Sequence, residues 1–185
     1  MTRRSLVPVE GLSKDGQSVY EVLNGEPDLS AVLIASSYID ACLGALLEGF
    51  FLKSSVATKL LNVKGGSLGS FSSRSDACYC LGLINKQLYQ DILVIAEIRN
   101  QFAHHHLALS FAVPEAAEQC EKLSYVAGLR NGNSDEPLLD SKHMRAPRNK
   151  FVLSVVLISQ RLLIKGLEVK HVQPQIQPGS QSDLR

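Results

Sequence analysis

An all-α, single-domain helical bundle is the fold class that this sequence of 185 residues predicts, and three observations predict it. Apolar residues recur at spacings of three and four along several stretches, which is the helical period, and no stretch alternates as a half-buried strand does. Glycine and proline fall between these stretches as punctuation. A hydrophobic content of 45% fills one sizeable core at this length, whereas two domains would each be small. The expected division is an N-terminal extension over 1–15, the all-α domain over 16–172 and a disordered tail over 173–185.

A short helix is expected around Gln17 to Leu23. Pro27-Asp28 then opens a long one in which Val32, Ala35, Ile39, Leu43, Leu46 and Phe50 form a stripe that faces the core. Ser54-Ser55 restarts the chain as a shorter helix through Leu61, and Lys64-Gly65-Gly66 is expected to end it, because glycine accepts the left-handed backbone of a helix stop. Gly66 to Phe71 reads as a glycine-bearing turn, with Ser72 or Ser73 capping a helix that runs to about Leu83. Asn85 caps the next, whose apolar face is Leu88, Ile92, Ile95 and Phe102.

Pro114 suits the first turn of a helix carrying Ala117, Cys120 and Leu123, since its missing amide donor would be unpaired there anyway. The acidic residues Glu115, Glu118 and Glu121 read as a solvated face. Between Gly128 and Pro147 the composition turns to Asn, Gly, Ser, Asp, Pro and Arg, a long surface loop. Arg148 to about Val172 closes the bundle, with Val152, Val155, Val156, Leu162 and Leu163 as its packed face and Arg161, Lys165 and Lys170 as a basic outer face. Pro174, Pro178, Gly179 and Ser180 mark the tail.

Composition narrows the function classes. A formal charge of +1 lacks the broad electrostatic footprint of a dedicated nucleic-acid binder. The charge is unevenly spread: up to Asp140 there are 11 Lys and Arg against 16 Asp and Glu, and from Ser141 onward 8 against 2. That asymmetry and the apolar helices suit self-association, and a homodimer is expected. Met1 to Leu12 has no apolar run long enough for a secretory signal, and neither Phe51-Leu52 nor Val152 to Ile164 reads as a bilayer span, so a cytoplasmic protein with no membrane contact is expected. Cys42, Cys78, Cys80 and Cys120 lack zinc-site spacing and read as reduced core residues.

The run Glu97-Ile98-Arg99-Asn100-Gln101-Phe102-Ala103-His104 carries the chemistry. It places an arginine, an amide and an imidazole on the last turns of an apolar helix. Residues four apart lie about 40° apart around a helix and residues five apart about 140°. Glu97, Asn100 and His104 therefore share one polar stripe, while Arg99 reaches it only through its long side chain, through a loosened last turn, or across a dimer. The same cluster has a plain structural reading, in which it satisfies backbone carbonyls and the helix dipole and pairs across a subunit contact. His104, His105 and His106 point about 100° apart and cannot all face one ion, so no metal site is expected. Gly65-Gly66-Ser67-Leu68-Gly69 lacks the Gly-Lys-Ser ending of a phosphate loop, and no cofactor is expected.

Arg99-Asn100 followed by His104 resembles the Arg-Asn-x-x-x-His signature of the higher eukaryotes and prokaryotes nucleotide-binding (HEPN) domains. Its surroundings resemble the mannitol operon repressor family, through Leu68-Gly69, Phe71, Arg74, Leu81-Gly82-Leu83-Ile84-Asn85, Tyr89, Asp91 and Ile98-Arg99 with His104. This second resemblance covers Gly66 to about Leu123 and implies a compact all-α protein of transcriptional control. Because no helix reads as a recognition helix with a glycine-turn partner, direct DNA binding is not expected and control is expected to pass through a protein partner. Glu97, Arg99, Asn100, His104 and Arg74 are the candidate interaction residues. The HEPN resemblance implies an alternative, a metal-independent endoribonuclease acting on RNA. There Arg99 would stabilise phosphate charge, His104 would pass a proton to or from a ribose oxygen, and Asn100 would orient the substrate.

Overall fold

Two apolar helices form the centre of the molecule, and the rest of the chain is arranged to cover them. The structure, a computed structural model, describes residues 12–105, 110–128 and 145–173. Among them are seven helices and no strand: α1 (Lys14–Gly25), α2 (Asp28–Phe50), α3 (Ser55–Leu61), α4 (Phe71–Cys80), α5 (Lys86–His105), α6 (Pro114–Glu121) and α7 (Pro147–Glu168), with a 3-10 turn at Val126–Gly128. The all-α expectation holds. Residues 129–144, most of the expected long loop, and residues 174–185, most of the expected tail, lie outside the described residues.

Helix α2 buries Val32, Ala35, Ile39, Leu43, Leu46 and Leu47 and packs on α7, α4, α5 and α1. By length and composition it could cross a membrane, a property that the sequence reading did not weigh. Its wide apolar face is instead covered by the other helices. The closing helix α7 is deeper than its amphipathic reading implies: every residue from Lys150 to Ser159 is buried. Only past Gln160 does it emerge, leaving Leu163, Ile164 and Leu167 exposed, so Leu163 belongs to the surface rather than to the packed face. A helix buried all round is held from several sides, here by α2, α1 and α6.

Charges that are buried or partly buried fix how these helices meet. Arg148 at the start of α7 pairs with Asp28 at the start of α2 and donates to the carbonyls of Leu23 at 2.9 Å and Glu26 at 2.6 Å. The other Asp28 oxygen accepts from the amide of Phe111 at 3.0 Å. Lys150 Nζ reaches both the carbonyl and the carboxylate of Glu121, at 2.9 and 3.0 Å. Glu121 is thus a tie between α6 and α7 and not merely solvated. Asp91, in the second turn of α5, accepts from the amides of Ser124 and Tyr125 at 3.0 and 2.8 Å and so holds the segment that follows α6.

Local boundaries differ from the sequence reading for identifiable reasons. Helix α4 is capped by Ser70, whose hydroxyl accepts from the Ser73 amide while Ser73 answers with its own hydroxyl, a reciprocal capping box. Ser73 is therefore the third residue of the box and not the cap. Helix α3 ends at Leu61, before the glycines, on an extended Asn62. Gly66 and Gly69 serve the turn itself, because a Cβ on either would fall within 2.4 Å of a backbone carbonyl oxygen. Helix α7 stops at Glu168, after which Val172 N donates to Phe50 O at 2.8 Å and His171 Nδ1 lies 2.7 Å from Phe51 O. Cys80 is exposed, in contrast to the other three cysteines.

Candidate functional site at the end of helix α5

Asn85 starts α5 as expected, its side-chain oxygen accepting from the Leu88 amide at 2.8 Å. From there Leu88, Ile92, Ile95, Ile98 and Phe102 are buried in sequence and fix the rotation of the helix. The end is clamped by aromatic contacts, with Phe102 5.1 Å from Phe111 and Phe111 5.2 Å from Phe151 between ring centroids. With that face committed to the core, the intervening residues are forced outward. Glu97, Arg99, Asn100 and His104 are all exposed.

The structure brings Arg99 and Asn100 together. Arg99 Nη1 donates to Asn100 Oδ1 at 3.1 Å, so the long arginine side chain does bridge the rotation that separates it from the polar stripe. His104 lies one turn further on, and its imidazole forms no hydrogen bond among the described residues. Gln101, between them, is half buried and its Oε1 has no hydrogen-bond partner among the described residues. The arrangement offers a guanidinium with open donors, an imidazole and an amide on one accessible edge. Such a set can hold an acidic or phosphate group and relay a proton. His106 lies outside the described residues, and no group of three or more His, Cys, Asp or Glu among the described residues could hold a metal ion.

Arg74 sits elsewhere. It is buried in α4, where its guanidinium pairs with Asp40 Oδ2 at 2.9 Å and donates to the carbonyls of Leu68 and Leu61 at 3.1 and 3.0 Å. No hydrogen bond links it to the α5 edge among the described residues. The guanidinium lies against Gly44 of α2, where a Cβ would stand in van der Waals contact with it, 3.4 Å from its carbon. Arg74 thus joins α2, the α3–α4 turn and α4. The sequence reading also passed over the anchoring role of Asp91, for which an acid on the buried side of an amphipathic helix is the available signal. Burial pushes its carboxyl above the usual range, against the opposing pull of the Ser124 and Tyr125 hydrogen bonds.

Comparison with known proteins adds what geometry alone does not. Residues 15–168 match the mannitol repressor family, MtlR. Among solved structures the fold is similar to a chain in the X-ray structure of the MtlR-HPr complex from Escherichia coli, with a TM-score of 0.63 and 25% sequence identity. That likeness covers 81% of this chain and 99% of the other. A comparison with curated proteins finds no match. Since the family match runs from the second residue of α1 to the last of α7, through every helix and both half-buried ion pairs that α2 makes, the chain belongs to the mannitol repressor family.

Proposed function

We propose that this chain is a non-enzymatic transcriptional regulator that acts through a protein partner rather than by holding operator DNA itself. The observation that carries this reading is the likeness to a chain of a protein–protein complex, MtlR with HPr, within the family to which the chain belongs. An HPr-like protein is accordingly the first partner to test. The fold supports the reading from the other side: the most basic helix, α7, buries ten consecutive residues from Lys150 to Ser159, so that stretch is committed to the core and not free to enter a groove. The exposed edge of Glu97, Arg99, Asn100 and His104 is the proposed contact surface, and a cytoplasmic homodimer the proposed form of the protein.

The test is titration of the purified chain with HPr from its own cell. Saturable binding, weakened by Arg99→Ala and His104→Ala, is expected. Tight, sequence-specific operator binding by the pure chain would overturn the indirect mechanism. Sedimentation at several concentrations checks the dimer, and a monomer at all of them excludes it.

A second reading, metal-independent RNA cleavage, is favoured by one observation: Arg99 and Asn100 are joined on an open edge that also carries His104. Here Arg99 holds the scissile phosphate, Asn100 positions it and His104 exchanges a proton with a ribose oxygen. RNA cleavage in EDTA separates the readings. Activity lost in both Arg99→Ala and His104→Ala supports the enzyme, whereas equal activity in all three proteins, or none in any, removes it.

A further inference from the structure

Three cations in this fold have matched partners: Arg74 with Asp40, Arg148 with Asp28 and Lys150 with Glu121. Two others do not follow that pattern. Arg161 and Lys165 stand one turn apart on the emerging part of α7 and line a cleft of about 230 Å³. The turn from Gly82 to Asn85 at the start of α5 also lines it, together with Leu88 and Tyr125. Arg161 makes no ion pair among the described residues, and Lys165 has only a 3.5 Å contact with the exposed Glu168. No carboxylate lines the cleft among the described residues. The nearest buried acid, Asp91, is engaged by the amides of Ser124 and Tyr125.

We infer that this cleft binds a small organic phosphate monoester. Such an ester carries close to two negative charges at neutral pH, which two adjacent cations match, and the planar arginine fork suits its oxygens. The twenty-residue helix α5 begins at the rim and adds the partial positive charge of its N-terminus. Leu83 and Ile84, 7% and 5% exposed, add a narrow apolar margin for the organic group. The cleft is built from α5, α7 and the turn before α5, so an occupant would bridge the start of α5 and the emerging part of α7. Its wall residues are distinct from Glu97, Arg99, Asn100 and His104, and the inference is independent of the partner reading.

The experiment is calorimetric titration of the full chain, without any partner, at constant ionic strength, using phenyl phosphate, inorganic phosphate and benzoate as probes. Saturable binding of phenyl phosphate is expected, with inorganic phosphate weaker and benzoate weakest. Arg161→Gln and Lys165→Gln should each weaken phenyl phosphate about tenfold. Lys14→Gln, on the surface of α1, should leave it unchanged. Circular dichroism confirms that each variant is folded, and Arg161→Lys should retain part of the affinity. The inference is overturned if phenyl phosphate does not saturate the wild type, if benzoate binds as tightly, or if Lys14→Gln costs as much as Arg161→Gln.

Discussion

Individual side chains divide sharply here between those sealed in the core and those left open. Burial pushes the thiol of Cys42 up to about 11 and those of Cys78 and Cys120 to about 12, while Cys80 is exposed. Since the thiolate is the reactive form, thiol titration of the folded protein at pH 8 should find one fast group, and all four in denaturant. Cys80→Ser should remove the fast phase, and its persistence would contradict the assignment. Asp91 gives a prediction about pH. Its carboxyl is raised in the folded state by desolvation, so the folded protein holds that proton more tightly than the unfolded chain. The stability linked to this group is therefore full below the unfolded carboxylate value of about 3.9 and is lost as pH rises through the raised folded value. Urea titrations across that window should show the wild type losing stability relative to Asp91→Asn as pH increases. An unchanged difference would mean that Asp91 does not titrate differently on folding.

At the scale of the element, α7 decides most. Phe151, fully buried near its start and in contact with Phe111, should cost about 3–5 kcal/mol when changed to alanine. Leu167, 89% exposed near its end, should cost no more than about 0.5 kcal/mol under the same change. Chemical denaturation of the two variants checks the contrast, and similar losses would refute the burial gradient along the helix. That gradient was only partly legible in the sequence. The spacing of Val152, Val155, Val156 and Leu162 announces a helix with an apolar face, but Ser154 and Ser159 read as polar interruptions when both are buried. A local pattern cannot reveal how many neighbours a helix will have. Helix starts show the same boundary: Asn85 was legible because its cap is local, whereas Ser72, Ser73 and Ser70 all satisfy the cap chemistry and only the backbone selects Ser70. The α5 edge was legible because its apolar residues dictate the rotation that turns Glu97, Arg99, Asn100 and His104 outward. The long-range partners of Arg74 and Asp91 were not, since Asp40 and Ser124 are each more than thirty positions away in the chain.

For the molecule as a whole, one continuous cluster joins buried residues from α1 to α7, from Tyr20 to Leu162. A single core of this kind should be lost in one cooperative step. Urea unfolding followed by far-ultraviolet circular dichroism and by tyrosine fluorescence, available because the chain has five tyrosines and no tryptophan, should give coincident curves. Separate transitions would point to two independently stable parts. Whole-molecule charge also acquires a meaning. The acidic excess up to Asp140 and the basic excess after it are stitched together internally, with Arg148 and Lys150 from the basic part seated on Asp28 and Glu121 from the acidic part. The near-neutral total therefore conceals an internal match between early and late segments.

The position of α7 in the chain order has a consequence for biosynthesis. Among the described helices the one that plugs the centre follows the others in chain order, so the face of α2 that it covers stays open on the ribosome until synthesis has passed Glu168 and the tunnel has released it. Nascent chains halted before that point lack this plug and expose apolar surface of the kind that drives aggregation and that chaperones cover.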